Sequence, residues 1–228
     1  MHKIDACLLG SGGSNRHGIH LMRINDMTVF RFCLAAALLA ASLSGIASAQ
    51  TTAQDLPRRN PEMSWPSGFE PSEADTFNHN KLLIETDCGM VYDILTKPDE
   101  WPFWLPIASK VRVSTPAQPM TVGSRFAWSV FNIAIESNVF VAEPGRRFGY
   151  TVTPPGPPPL YAQSWLFQPV EQGCLVTTEE MGMGDLAKQT TASGSRLVHV
   201  AHDLWLAALR WQSLFGKAPG FGNKPVAE

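Results

Sequence analysis

Three groups of side chains in this 228-residue chain have types and spacings that could do chemistry. His199 and His202 stand three apart in a helix-periodic segment, with Asp203 four residues after His199. On a helix such spacings bring side chains to one face, and two imidazoles with a carboxylate can hold zinc. Asp203, however, shares a polar side with Arg196 and Arg210. The reading adopted is therefore a surface pair of His199 with Asp203, with no metal and no cofactor. His202 lies nearer the apolar stripe and is the histidine expected to face an interior. Tyr150, Gln163 and Glu180 form the second group, since alternation puts each on the same face as large apolar neighbours. A carboxylate in an apolar pocket has a raised pKa and can act as acid or base. The reading preferred for Glu180, however, leaves it in water at a strand end. Tyr150, Glu180 and His202 are the catalytic candidates. Cys88 and Cys174 form the third group. In an oxidising compartment an even pair invites a disulfide, whereas free thiols are also common in cores. No Gly-rich phosphate loop, nucleophile elbow or Cys-x-x-Cys pair occurs.

The elements that must position these residues are mainly strands. Ser124 to Val130 sets Phe126, Trp128 and Val130 on one face, and Asn132 to Val141 does the same for Ile133, Ile135, Ser137, Val139 and Val141. Phe148, Tyr150 and Val152 share a face, as do Gln163, Trp165 and Phe167, and then Val176, Thr178 and Glu180. Such period-two alternation marks a sheet with one buried face. Tight corners at Glu143–Arg147 and Gln168–Gly173 join consecutive strands, and a Pro-rich loop spans Thr153–Pro159. Lys81 to Thr86 is an expected first strand, and Asp87 can cap a helix through Met90, Val91, Ile94 and Leu95. Trp101-Pro102-Phe103-Trp104-Leu105-Pro106 then forms a short aromatic turn or helix. Gly182 and Gly184 are expected to break the last strand. A long helix runs from about Thr190 to Phe215, with Val198, Ala201, Trp205, Ala208 and Gln212 along its apolar stripe, thickened by Leu204, Leu209 and Trp211.

The N-terminal part has a different character. Phe30 to Ala49 begins with an Arg, has a long apolar centre and ends Ala47-Ser48-Ala49. This is the layout of a secretory signal cut after Ala49, and its apolar run is short for a span of ~20 residues. Residues 27–49 are thus read as a signal peptide, and 1–26 as an extension upstream of a true start at Met22 or Met27. The expected location is the bacterial periplasm or the exterior, with no stable membrane span after cleavage. Residues 50–78, dotted with Pro57, Pro61, Pro66 and Pro71, read as a linker or arm whose Trp65, Phe69 and Phe77 lie partly on the domain surface. Residues 79–216 form the domain and 217–228 a frayed tail. Removing residues 1–49 moves the net charge from −2 to −4. No concentrated basic run remains, which excludes a nucleic-acid partner.

The order of strand, two short helices, six strands and long helix resembles the helix-grip fold. "TDCGMVYDILTKPDEWPFWLP" looks like the family's opening helix pair with its Trp-x-x-Trp-x-Pro ending. "VGSRFAWSV", "VFVAEPGRRFGYTV" and "SWLFQPVEQGCLVTTEEMGMG" resemble its later strands and corners. The family is the START-like superfamily, which includes the polyketide cyclase/dehydrase group and the birch-pollen-allergen-like proteins. The resemblance implies an α+β fold in which a curved antiparallel seven-stranded sheet grips a long C-terminal helix, with two short helices after the first strand. It implies no catalytic motif, because carriers, cyclases, lyases and receptors share the fold. It also makes the first and last strands antiparallel neighbours, which brings Cys88 and Cys174 to the same end of the sheet as a disulfide candidate. The implied inward set is Phe126, Trp128, Ile133, Ile135, Val139, Tyr150, Gln163, Trp165, Phe167, Val176 and Trp205, with Tyr161 closing the mouth. These side chains either line a cavity for a hydrophobic small molecule (lipid, aromatic or polyketide-like) or simply fill the core. The leading expectation is an exported carrier or sensor. A cyclase or dehydratase, and a solid domain that binds a partner by its outer surface, are the alternatives.

Overall fold

A computed structural model describes residues 51–114, 119–153, 160–192 and 196–216. The expected signal and the segment before it, most of the Pro-rich loop and the C-terminal tail lie outside the described residues. Seven strands form one antiparallel sheet: β1 (Thr76–Ile84), β2 (Ala108–Val113), β3 (Arg125–Val130), β4 (Ile133–Glu143), β5 (Arg147–Thr153), β6 (Leu160–Val170) and β7 (Gly173–Met183). Their spatial order is β1-β7-β6-β5-β4-β3-β2, so β1 closes against the last strand and the rest is a meander. The helices are α1 (Thr52–Asp55), α2 (Cys88–Leu95), α3 (Trp101–Trp104), α4 (Asp185–Ala192) and α5 (Arg196–Phe215). Among the described residues no helix is long and apolar enough to cross a membrane.

The opening helices form where the sequence places them. Asp87 Oδ1 accepts the N–H groups of Gly89 and Met90 at 2.8 and 3.2 Å, satisfying donors that a helix start leaves free. The face of α2 turned inward is Cys88, Val91, Tyr92 and Leu95, while Met90 is exposed. Trp101 Nε1 donates to Leu95 O at 2.8 Å, so the aromatic turn also ties off the end of α2.

Several boundaries differ from the sequence reading. β1 begins at Thr76, ahead of the expected Lys81. Its first half shows no apolar alternation because both faces are covered: Phe77 and His79 meet the arm, while Asn80 meets α5. The arm is folded onto the domain. Leu56, Trp65 and Phe69 pack on Phe77, Ala162 and Met181 across the convex face of the sheet. Beneath the same arm His79 Nδ1 lies 2.8 Å from Glu179 Oε1, which also accepts the Asn60 N–H.

β7 does not break at Gly182 but runs to Met183. Gly182 pairs with both Thr76 and Tyr161, and a Cβ there would run into the Tyr161 ring. Glycine is required at this point for close packing rather than for a turn; the turn comes at Gly184, where φ is +93°. In β4 a register shift between Val139 and Val141 reverses the alternation. Val141 therefore leaves the inward face on which parity set it, and Ala142 packs on the core instead.

The buried face of α5 is also rotated from the expected stripe. His199, His202, Trp205, Leu206 and Leu209 are buried, while Leu204 and Trp211 are exposed. The helix carries apolar residues around most of its circumference, so periodicity alone does not select a face.

Candidate functional site

The grip closes over a cluster of aromatic rings. Trp101, carried inward by α3, lies with its ring centroid 5.1–5.5 Å from those of Phe126, Trp128 and Trp205. Trp165 stacks edgewise on Trp205 at 5.4 Å, and Phe126 meets Tyr150 at 5.4 Å. Phe126, Val139, Tyr150, Trp165, Phe167 and Val176 are all at most 1% exposed. They belong to one continuous core and none except Phe126 borders a described pocket. Core filling thus accounts for six of the eleven residues in the expected inward set. Trp101, absent from that set, is the ring that occupies the centre.

Space remains at one side, between α5 and the β2–β4 end of the sheet. A cleft of about 160 Å³ opens there. Trp128, Ile135, Val152, Ala201 and Trp205 supply apolar wall, and Gln163, Glu180 and His202 supply the polar groups. Trp128, Ile135, Gln163 and Trp205 therefore line space as the sequence suggested. Ile133 does not: it is 53% exposed, at the first position of β4 directly after the turn Phe131-Asn132 at the sheet rim. Tyr161 does not border the cleft either; its ring lies over Gly182.

The polar groups fall into two sets, one around Gln163 and one around His202. Tyr150 donates its phenolic hydrogen to Gln163 Oε1 at 2.7 Å, and Gln163 Nε2 donates to Thr178 Oγ1 at 3.3 Å. Burial pushes the Tyr150 phenol well above its ordinary range; Trp165 tempers this rise and the Glu180 charge adds to it. Tyr150 is accordingly a fixed neutral donor. Glu180 lies within the strand rather than at its end, with its side chain 15% exposed, and Glu180 Oε2 is 3.8 Å from His202 Nε2. That is longer than a hydrogen bond.

Asn80, from β1, organises both histidines. Its Nδ2 donates to Asp203 Oδ1 at 2.8 Å. A carboxylate only accepts, so this contact fixes the amide with Oδ1 turned the other way. There Oδ1 meets His199 Nδ1 at 3.0 Å and His202 Nδ1 at 3.3 Å. Both imidazoles must therefore carry a proton on Nδ1. His199 Nε2 lies 2.8 Å from Asp55 Oδ2. The expected surface pair of His199 with Asp203 is not formed: His199 is buried, its partner comes from α1, and Asp203 is taken by Asn80. Asp55 and Asn80 carried no local signal in the sequence, since their roles depend on β1 lying beside β7 and α1 lying against β1.

Cys88 and Cys174 are joined in a disulfide with Cα atoms 5.0 Å apart. The bond ties the start of α2 to the start of β7, whose Cys174 pairs with Ile84 at the end of β1.

No curated protein matches the chain. Among solved structures, a hypothetical protein of Helicobacter pylori superposes with a TM-score of 0.62 at 19% identity, over 68% of this chain and 98% of its own. The Zhui aromatase/cyclase of a Streptomyces species gives 0.49 at 12% identity, over 60% of this chain and 92% of its own. Residues 84–199, just over half of the chain, match the family model described as polyketide cyclase/dehydrase and lipid transport. Sheet order, helix placement and this match agree, and the chain belongs to that family of START-like helix-grip proteins.

Proposed function

We propose that the protein is an exported carrier or sensor that holds a small hydrophobic molecule in the cleft between α5 and the β2–β4 end of the sheet. One observation carries this reading: the cleft has apolar walls and gathers its polar groups, Gln163, Glu180 and His202, together. Such an arrangement orients an amphipathic ligand. The volume limits the ligand. Drug-sized ligands occupy pockets of roughly 300–1,000 Å³, while a cavity of ~150 Å³ takes a benzene-sized molecule. The cleft therefore suits a single ring or a short branched chain. Export is supported by the signal-like residues 27–49 and by the Cys88–Cys174 disulfide, which suits an oxidising compartment.

A second reading is a cyclase or dehydratase that uses the same cleft. It is favoured by His202 and Glu180, an imidazole and a carboxylate close enough together to share acid–base work on a bound substrate. Native mass spectrometry of protein purified from its own host tests the carrier reading, with Ala201→Phe as the partner measurement. A retained small molecule, lost when the introduced phenyl ring fills the cleft while the fold is kept, is the expected result. A retained molecule that persists in the variant would move the site elsewhere. A protein always recovered empty, and blind to added single-ring aromatics by tryptophan fluorescence, would leave the solid-domain alternative. Chemical change of an added ligand would favour the enzyme.

A further inference from the structure

The Asn80 amide sets the hydrogen-bonding character of the cleft. With Oδ1 of Asn80 accepting from His202 Nδ1, a neutral His202 turns the lone pair of Nε2 toward Glu180 and the cleft. The two nearest polar groups are then both acceptors. Gln163 adds the opposite capacity. It accepts Tyr150 and gives one amide hydrogen to Thr178, and an amide nitrogen has two hydrogens to give. Among the described residues the second has no partner.

We infer that the ligand of this cleft is a hydroxylated ring, a phenol or enol, whose O–H donates to His202 Nε2 or Glu180 and whose oxygen accepts from Gln163. This inference rests on the cleft being the binding site proposed above. The same three groups reject the other common polar heads. A carboxylate would face the Nε2 lone pair and the Glu180 charge with no hydrogen of its own. An ammonium would satisfy Glu180 but leave the Gln163 hydrogen without an acceptor, since –NH₃⁺ has no lone pair. A bare hydrocarbon would strand all three groups away from water, a cost that a hydroxyl removes. Asn80 is a positioning residue here: it touches no ligand and acts by holding the His202 proton on Nδ1.

Calorimetry on the full chain with four single-ring probes tests this: phenol, toluene, benzoate and benzylamine. Phenol and toluene have nearly the same shape, so their ratio reports the hydroxyl. Phenol should bind about ten-fold or more tightly than toluene, with benzoate and benzylamine weaker than phenol. In parallel, ¹⁵N NMR of the imidazoles should find His202 protonated on Nδ1 with a lone pair on Nε2, and phenol should shift the Nε2 signal. His202→Phe keeps the wall apolar and should erase the preference for phenol while toluene still binds. Equal binding of phenol and toluene would overturn the hydroxyl inference and leave the cleft reading standing, as would a His202 proton on Nε2. A preference for benzylamine would also overturn it, in favour of an amine. Failure of all four probes to bind would sink the inference and the cleft reading together.

Discussion

Tyr150 shows how much the interior asks of one side chain. Its ring is fully buried among Trp101, Phe126 and Phe148, and its hydroxyl hydrogen is accepted there by Gln163. Burial holds the phenol neutral well above its ordinary pKa. Burial also pushes Tyr92 up to about 12, with Asp93 and Glu143 adding to the shift. Above pH ~10 the unfolded chain releases phenolic protons that the folded chain keeps. The folded state then binds more protons, so stability falls as pH rises. The contribution is complete below pH ~10 and is lost as pH climbs through the folded values. Tyr150→Phe should therefore remove one proton's share of this slope, which approaches about 1.4 kcal/mol per pH unit by pH ~11. At neutral pH the same change should cost about 1–3 kcal/mol by stranding Gln163 Oε1. Urea unfolding at pH 7 and across pH 9.5–11.5 checks both; an unchanged alkaline slope would show that Tyr150 is not held neutral.

At the scale of elements, the sheet was readable wherever alternation met a single buried face. Phe126 and Trp128, Gln163 to Phe167, and Val176 to Glu180 all point as parity requires. Parity failed where geometry interrupts it. Ile133 sits at the exposed first position of β4, and the shift at Val139/Val141 reverses the rest of the strand. It was silent over Thr76–Asn80, because polar residues buried on both faces leave no alternation to read. The helix face was hidden for the opposite reason, since α5 has apolar residues on its exposed side as well. Of the site, Gln163, Glu180 and His202 were legible as individuals, while Asn80 and Asp55 became visible only once long-range pairing was known. Gly182 illustrates the same limit. Next to Gly184 it reads as a breaker, yet its missing side chain is what admits the Tyr161 ring. Gly182→Ala should cost about 1–3 kcal/mol by overpacking, read as a lower thermal midpoint. Adding Tyr161→Ala should recover part of the loss, because the two changes share one space. Strictly additive losses would mean that the ring is not what the methyl meets.

For the whole molecule the decisive link is the one between Cys88 and Cys174. The bond closes a loop with a sequence separation of 86. That loop contains α2, α3 and every strand from β2 to β6, and with them the aromatic core apart from Trp205 and the strand side of the cleft wall up to Gln163. The two ends left outside, β1 with the arm and β7 with α5, are joined to each other by strand pairing and by Asn80's contacts with α5. Disulfide and sheet closure thus lock the same seam from two sides. A cross-link around so long a loop restricts the unfolded chain and stabilises by about 2–5 kcal/mol. The Cys88→Ala/Cys174→Ala protein should lose stability in that range by urea unfolding, and reduced wild-type protein should behave like it. The cleft itself should be unchanged, because neither cysteine touches it; binding of a single-ring probe under folding conditions should persist in the variant. A midpoint that does not move on reduction, with both thiols then open to alkylation, would show that strand pairing alone holds the seam. A midpoint that falls together with loss of binding in the folded variant would show instead that the bond shapes the cleft.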